Sequence, residues 1–216
     1  SSASLITIDT STFISLSQMQ LEDITTLNNQ LITLQDSTIT KMDNIIISGI
    51  KQLIFYVSSS NITLMSNLNI TDCSQGISAI KESQINIIDS TFSGMGSDTQ
   101  ASGSALYFQN SNMTILNVIF TNNTSINGGS IDLDCAKTSR CSYNIDKSQF
   151  NNNIATESGG AIRYNLYRPS FTNNTYSNNT AYYGPNIASY PIKIKMKDQE
   201  SDKMAIKDAP SGMIYP

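Results

Sequence analysis

Hydrophobic residues along this chain repeat one short frame: two apolar positions one residue apart, four spacer residues, and then a large apolar residue, here called the anchor. In chain order the frame fits Ile6/Ile8/Phe13, Ile32/Leu34/Ile39, Ile62/Leu64/Leu68 with one spacer fewer, Ile85/Ile87/Phe92, Met113/Ile115/Phe120, Tyr143/Ile145/Phe150 and Pro169/Phe171/Tyr176. Because residues i and i+2 of a strand share a face, the alternation predicts short strands. An amphipathic helix would instead place apolar residues at i, i+3, i+4 and i+7. A helix over 16–30 is the one alternative that the pattern leaves open.

The anchors recur every 24 to 30 residues. A solenoid allows this variation, since its turns can lengthen without disturbing the stack. A second ladder is formed by Ile80, Leu106, Ile131, Ile162 and Ile187, with Gly103, Gly129 and Gly160 just before three of its members. The sequence therefore predicts an all-β fold, a parallel β-helix of about seven coils stacked at about 4.8 Å. Phe92, Phe120 and Phe150 should stack in one inner column.

The clearest repeat is written twice between residues 128 and 187. Gly128-Gly129-Ser130-Ile131 is followed by Phe150-Asn151-Asn152-Asn153, and Gly159-Gly160-Ala161-Ile162 by Tyr176-Ser177-Asn178-Asn179. With Phe120-Thr121-Asn122-Asn123, these segments resemble the GGA[ILV] and FxxN repeats of chlamydial polymorphic outer membrane proteins and of large protist cell-surface proteins, within the pectate-lyase-like right-handed β-helices. The resemblance covers roughly residues 76–190. It implies a right-handed, single-stranded helix, extracellular display and an adhesive or structural role.

Domain organisation follows from where the pattern stops. The β-helix is expected to span residues 1–190, and residues 191–216 form a non-repeat segment that begins with alternating apolar and basic residues. That segment reads as an edge strand or as the start of a following domain. The chain is expected to be part of a longer assembly, with neighbouring coils or copies of the same protein end to end, because open β-helix ends expose strand edges.

The composition of the chain argues against a nucleic-acid partner and against a membrane-spanning helix. Charged residues make up 14% of the chain and the formal net charge is −4. This argues against a nucleic-acid-binding protein, which normally carries a basic surface. No apolar run approaches the roughly 20 residues that a membrane-spanning helix needs.

The repetitive, polar, Asn-rich exterior suggests an oxidising environment, in which cysteines can pair. Cys135 and Cys141 bracket the longest interruption among the regular coils and are expected to form a disulfide bond. Cys73 is left over, and burial as a small apolar residue or pairing outside the chain are both open.

Candidate chemistry is sparse. The chain has no histidine, which removes Ser-His-Asp and Cys-His nucleophile schemes and histidine metal sites. Asp132 and Asp134 share a strand face and could bind Ca²⁺ or act as an acid/base pair, although a solvated turn is the simpler interpretation. No catalytic residue, metal or cofactor is expected.

Seven Asn-x-Ser/Thr sequons offer sites for N-linked glycans, about the number that chance predicts. The predicted sites are Asn61 and Asn112, which precede inward-facing residues, together with Asn69 and Asn173. Asn122, Asn152 and Asn178 follow successive anchors by two residues, and Asn123, Asn153 and Asn179 follow by three. Stacked coils would align both sets into amide ladders.

Two function classes remain. The first is a non-catalytic extracellular module of a larger cell-surface or fibre-forming glycoprotein. The second is a glycan-binding or polysaccharide-degrading β-helix, which would need an acidic groove or an aromatic platform. Tyrosines that could supply the platform are Tyr164, Tyr167, Tyr182, Tyr183 and Tyr190.

Overall fold

A computed structural model describes residues 4–24, 30–96 and 102–190, and all regular structure in these residues is β. The segment 191–216, predicted to be an edge strand or the start of a further domain, lies outside the described residues. In chain order the strands are β1 (Ile6–Asp9), β2 (Thr12–Glu22), β3 (Gln30–Gln35), β4 (Thr38–Ser48), β5 (Leu53–Ser58), β6 (Asn61–Thr71), β7 (Gln75–Ile80), β8 (Gln84–Ile88), β9 (Thr91–Ser93), β10 (Leu106–Gln109), β11 (Asn112–Leu116), β12 (Ile119–Thr121), β13 (Thr124–Asn127), β14 (Ile131–Asp134), β15 (Tyr143–Asp146), β16 (Gln149–Asn151), β17 (Ile154–Ser158), β18 (Ile162–Tyr164), β19 (Ser170–Thr172), β20 (Thr175–Ser177) and β21 (Ile187–Ser189).

The strands stack as a parallel β-solenoid of about seven turns, as the sequence predicts. The first sheet has eight strands in the order β1-β3-β5-β7-β10-β14-β18-β21. The second has eleven, in which long strands β2, β4 and β6 give way in later coils to pairs of short ones, and the third pairs β13 with β17. A helix over 16–30 is the alternative that the sequence leaves open. Strand β2 shows that residues 16–22 of this segment are extended.

The first sheet contributes an inner apolar column. In register, Ile32, Phe55, Ile77, Leu106, Ile131 and Ile162 lie one above the next, and all are fully buried. Leu106, Ile131 and Ile162 of the predicted second ladder belong here, and Ile187 pairs with Ile162 above them, but Ile80 does not. Ile80 pairs with Gln109 at the end of its strand, and Ile77 occupies the expected place. Ile80 lies three residues after Ile77, and in a strand with a side-chain period of 2 such an odd offset puts it on the opposite face from the column.

The second sheet contributes an aromatic column. The ring centroids of Phe92 and Phe120 lie 5.5 Å apart, those of Phe120 and Phe150 4.9 Å, and those of Phe150 and Tyr176 5.2 Å, with the rings nearly parallel. Below Phe92 the column continues through Ile70, Ile47 and Leu21.

The anchors assigned in the first three coils are therefore wrong. Phe13 pairs with Ile39 and Ile39 with Ile62, on the first half of the long strands, while Leu68 pairs with Ile45. The residues that stack with the later anchors are Leu21, Ile47 and Ile70. They lie eight residues beyond Phe13, eight beyond Ile39 and two beyond Leu68. In the first two coils the frame spans a different corner of the solenoid, from the first sheet to the second. In the third coil Ile62 pairs with Ile85 at the same corner as in the later coils, and only the anchor is displaced.

Several corners of the solenoid share a residue in the left-handed backbone conformation. At three of them a residue with positive φ precedes most of the inward turns, and Asn, Asp or Gly fills most of these places because they tolerate the left-handed region best. One corner contains Gln18, Asn44, Asn67, Asp89, Asn117, Lys147 and Asn173, and another Asp23, Gly49, Asp72, Gly94, Asn122, Asn152 and Asn178. The corner between the first and second sheets contains Thr10, Asp36, Ser59, Glu82 and Asn110.

The two glycines of the Gly128-Gly129 pair have separate roles at the corner that leads into the first sheet. Gly128 has φ +59°, a turn that side chains resist. A Cβ on Gly129 would lie only 2.0 Å from the carbonyl oxygen of Gly160 in the next coil. The first glycine therefore makes the turn and the second permits close backbone stacking.

Buried polar ladders complete the stack. The Oδ1 atoms of Asn123, Asn153 and Asn179 accept from the backbone N–H of Met95, Asn123 and Asn153, at 3.0, 3.1 and 2.9 Å. Their Nδ2 groups donate to the carbonyls of the three phenylalanines. The predicted amide ladder is thus formed by this set, whereas Asn122, Asn152 and Asn178 are exposed at the corner. A serine ladder does the same elsewhere, with Ser60 Oγ accepting from Ser37 N–H at 3.1 Å.

Candidate functional site

The outer face of the first sheet carries one column of polar and aromatic side chains. In register it contains Thr33, Tyr56, Ser78, Tyr107, Asp132, Arg163 and Ala188. Asp132 and Arg163 follow the ladder residues Ile131 and Ile162, so strand alternation turns both outward. This column contains the carboxylate that the sequence singled out.

Asp132 and Arg163 form a bidentate ion pair between consecutive coils. Arg163 Nε donates to Asp132 Oδ1 at 2.7 Å and Nη2 donates to Oδ2 at 2.6 Å. The Asp132 side chain is fully buried and that of Arg163 is 13% exposed. The third nitrogen, Nη1, donates to Tyr190 Oη at 2.6 Å, and the guanidinium carbon lies 5.3 Å from the Tyr190 ring centroid.

Burial is the largest single influence on the pKa of each member of this pair. It raises the pKa of Asp132, and the hydrogen bonds and positive charge of Arg163 oppose that rise. Burial acts to lower the pKa of Arg163, but its bonds to Asp132 outweigh this, and the pKa is raised. A carboxylate bound by both arms of a guanidinium is neutralised in place. Both of its oxygens are bound by the guanidinium and the side chain is fully buried, so the arrangement favours a structural role over contact with a substrate or a cation.

Asp134 is occupied in a different way. Its Oδ1 accepts from Asn165 Nδ2 at 2.5 Å, and its Oδ2 accepts from Gln109 Nε2 at 3.5 Å. The two carboxylates do share a face, as predicted, but each serves its own contact. Among the residues that the structure describes, no group of three or more His, Cys, Asp or Glu side chains is placed to hold a metal ion.

Tyr107 lies next to Asp132 in the column. Burial, and then the charges of Asp134 and Asp132, raise the pKa of its phenol to about 12. The phenol therefore stays protonated at neutral pH and contributes no base.

Cys135 and Cys141 form the predicted disulfide bond, with Cα atoms 6.2 Å apart, and Cys73 is buried and free. The loop between them, 136–140, is also held from the neighbouring coils. Ala136 N–H donates to Asn110 Oδ1 at 2.7 Å, and Tyr167 Oη donates to the Ser139 carbonyl at 2.8 Å. A covalent closure with contacts above and below makes this a fixed projection.

The predicted glycosylation sites fall in different environments. Asn61, Asn69 and Asn173 are exposed, while Asn112 is half-buried and its Oδ1 accepts from Ser142 N–H at 2.8 Å. The sequon at Asn123 is buried within the amide ladder. Attachment of glycans at any of them remains a prediction.

Asn61 also borders an open notch of about 430 Å³. The notch spans three coils at the corner between the first and second sheets, and the exposed carboxylates of Asp36 and Glu82 lie on it. Sequence spacing gave no indication of this feature.

The five late tyrosines do not share one role. Tyr164 and Tyr167 pack against the core, and Tyr190 contacts Arg163. Tyr182 is 88% exposed and Tyr183 46% exposed. They precede the Gly184 turn, whereas Tyr190 follows the last strand of the first sheet. An aromatic platform of all five is therefore not formed.

Two features escaped the sequence analysis. Arg163 was not recognised as the partner of Asp132, although both follow a ladder isoleucine and stacking had to place them together. The cations Lys137, Arg140 and Arg168 gather near the disulfide loop, although the net charge of −4 gives no hint of a basic surface.

Comparisons of this chain with protein-family models, with curated proteins and with solved structures give no match. In the part of the chain that the structure describes, no helix could span a membrane.

Proposed function

We propose that this chain is a non-catalytic, extracellular structural or adhesive module, a right-handed β-helix of the kind found in large cell-surface glycoproteins. The observation that carries the proposal is the continuity of the axial ladders. Stacked phenyl rings, buried asparagines and the Asp132–Arg163 pair all run along the solenoid axis. Side chains used in this way stiffen a rod.

The contacts made by Asp132 and Asp134 support the same conclusion. A glycosidase of this architecture needs two carboxylates that face each other across a bound sugar, one of them able to give up a proton. Here Asp132 is buried against Arg163, and Asp134 accepts hydrogen bonds from two amides. We therefore favour a structural use of both over catalysis.

The extracellular assignment rests on the disulfide bond and the sequons. Disulfides persist outside the reducing cytosol. Asn61, Asn69 and Asn173 expose their amides, as glycan attachment requires, and we propose N-linked glycans there and at Asn112. The resemblance to polymorphic outer membrane protein repeats points the same way.

End-to-end contact with another unit fits the stack. In the described residues, β1 and β21 are the outermost strands of the first sheet and pair on one side only. Unpaired strand edges favour addition of another strand. We propose that preceding or following coils, or copies of the same protein, cover them.

A glycan-binding role is the second candidate. Tyr182 and Tyr183 are large exposed aromatics on neighbouring positions, and aromatic faces commonly stack on sugars. This candidate predicts binding without cleavage.

The test is to express the chain behind a secretory signal in a eukaryotic host and analyse the secreted protein by glycopeptide mass spectrometry and by assays on polysaccharide substrates. We expect glycans at Asn61, Asn69, Asn112 and Asn173, none at Asn123, and no release of reducing ends. Cleavage that is abolished by Asp134→Asn would overturn the non-catalytic assignment. Secretion with every sequon unmodified and Cys135 free would overturn the extracellular one.

A further inference from the structure

The corner between the first and second sheets is charged unevenly along the solenoid axis. It contains, from the first coil upward, Asp9, Asp36, Ser59, Lys81 with Glu82, Asn110, the disulfide loop and residues 165–168. The register of strands β1, β3, β5, β7, β10 and β14 places these turns one above the next. We call this line of turns the charged edge.

The lower half of the charged edge is acidic. Asp9, Asp36 and Glu82 are exposed carboxylates, and Lys81 is the one cation among them. Asp36 and Glu82 lie on the notch of about 430 Å³, whose remaining lining is Ser, Thr, Asn and Gln. The notch is thus a concave, polar, negatively charged surface.

The upper half is basic apart from Asp134, which has the same register position as Asp9 and whose carboxylate accepts hydrogen bonds from Asn165 and Gln109. Lys137 and Arg140 stand on the disulfide loop, and Arg168 follows Tyr167, whose hydroxyl binds that loop. All three are exposed, and among the residues that the structure describes they form no ion pair. The disulfide and the hydrogen bonds to Asn110 and Tyr167 fix the loop, so little ordering entropy opposes a contact made by its cations.

We infer that the charged edge pairs with the same edge of a second copy of this chain, in antiparallel orientation. An antiparallel, two-fold arrangement sets the disulfide loop of each copy against the acidic notch of the other, so one contact is made twice. A parallel arrangement would oppose like charges. The turn of Glu82 and the disulfide loop are two coils apart, about 10 Å along the axis, so both contacts fit on one edge.

The notch strengthens a contact that would be weak on a flat surface. An exposed ion pair contributes about 0–1 kcal/mol because water screens it. A guanidinium or ammonium that enters the notch is partly shielded from solvent and can reach the carboxylates of Asp36 and Glu82. Several pairs formed together, each with its side chains held, give orientation as well as affinity.

Glycosylation of Asn61 would regulate this contact. It lies on the notch and begins a sequon, so a glycan attached there would occupy the place of the partner's loop. Glycosylation of Asn61 and antiparallel pairing are therefore mutually exclusive. This inference does not depend on the proposed structural function, and either can fail alone.

The test is sedimentation velocity of the 216-residue chain, produced without glycosylation and with its disulfide formed, at about 0.02 M and about 0.5 M salt. We expect a dimer whose dissociation constant rises at least roughly tenfold at the higher salt. One variant carries Lys137→Glu and Arg140→Glu, and the other carries Asp36→Lys and Glu82→Lys. Each alone should be monomeric, because like charges then face each other in both contacts. Mixing them should restore a dimer in which one of the two contacts has exchanged charges and the other keeps the native ones. Lys147→Glu, an exposed lysine at another corner, is the matched control and should dimerise normally.

A monomeric parent at all concentrations would overturn the inference. So would dimers that survive both charge reversals, or variants that stay monomeric when mixed. Retention of a monomeric parent on a sulfated polysaccharide resin, lost in the Lys137/Arg140 variant, would assign the loop to an anionic glycan instead.

Discussion

Asp132 and Arg163 occupy the same position in consecutive coils, and the carboxylate accepts hydrogen bonds of 2.7 and 2.6 Å from the guanidinium. The pair ties two coils on the outside of the first sheet, as the phenyl rings tie them on the inside of the second. One of the two acidic residues that suggested catalysis, Asp132, is therefore part of the stacking.

Replacing Arg163 by Met should destabilise the protein by about 3 kcal/mol, because it leaves the Asp132 carboxylate buried without its partner. Chemical denaturation followed by circular dichroism would measure this change. The double variant Asp132→Leu/Arg163→Met should recover most of the loss, since replacing both charges removes the desolvation cost. A single variant as stable as the parent would contradict a buried structural pair.

Replacing Phe120 by Ala should cost about 3–5 kcal/mol in free energy of unfolding, because Phe120 is fully buried between two rings. Phe120→Asp should abolish folding, since it buries an unpaired charge. Phe120→Leu keeps most of the volume and should cost distinctly less than alanine. If Phe120→Asp melts at the temperature of the parent, the residue does not face the core.

The amide ladder makes a separate prediction at Asn153. Its replacement by Ala removes the acceptor for Asn123 N–H and the donor to the Phe120 carbonyl, both buried, at about 1–3 kcal/mol for each group left without a partner. Asn152→Gly is the control. Asn152 is exposed with φ +54°, which glycine adopts without strain. Equal losses in the two variants, measured by denaturation, would contradict the ladder.

Asp43 predicts a pH dependence. The hydrogen bond from Ser66, then that from Lys41, lower the pKa of this carboxyl from its ordinary 3.8, so the folded state favours the ionised form. Its stabilising contribution is present above pH 3.8 and disappears as the pH falls through the lowered pKa. The stability difference between the parent and Asp43→Asn should therefore shrink in that acid range. A difference that stays constant down to the pH of acid unfolding would contradict this account.

Much of the solenoid could be predicted from the sequence because stacking repeats the same demand in each coil. Phe92, Phe120 and Phe150, and the disulfide between Cys135 and Cys141, follow from pattern and spacing alone. The register of the early coils does not, and the corners explain why. Asp36 and Ser37 lie between Leu34 and Ile39 with the same geometry as Asp89 and Ser90 between Ile87 and Phe92: a residue at positive φ, then a buried serine. Two corners with one spacing produce the same apolar frame, so the frame cannot tell which corner it spans.

The candidate site was harder to predict for a different reason. Asp132 was visible as a carboxylate in a regular coil, but its burial and its partner depend on which residue stacks above it. Arg163 is 31 residues away, and only the register brings the two together. The charged edge likewise depends on turns of unequal length that share one corner.

Each coil stacks on the next in the register described, and engineered cysteine pairs distinguish this register from the alternative set by the sequence frame. Ile46 and Asn69 are exposed register partners, and neighbouring parallel strands place Cα atoms about 4.8 Å apart, within disulfide range. Thr40 would be the neighbour of Asn69 if Ile39 and Leu68 were both anchors. Non-reducing peptide mapping of the two double variants, oxidised in the folded state, decides between the registers. We predict a cross-link for Ile46→Cys/Asn69→Cys and none for Thr40→Cys/Asn69→Cys; the opposite result would contradict the stacking on which the account rests.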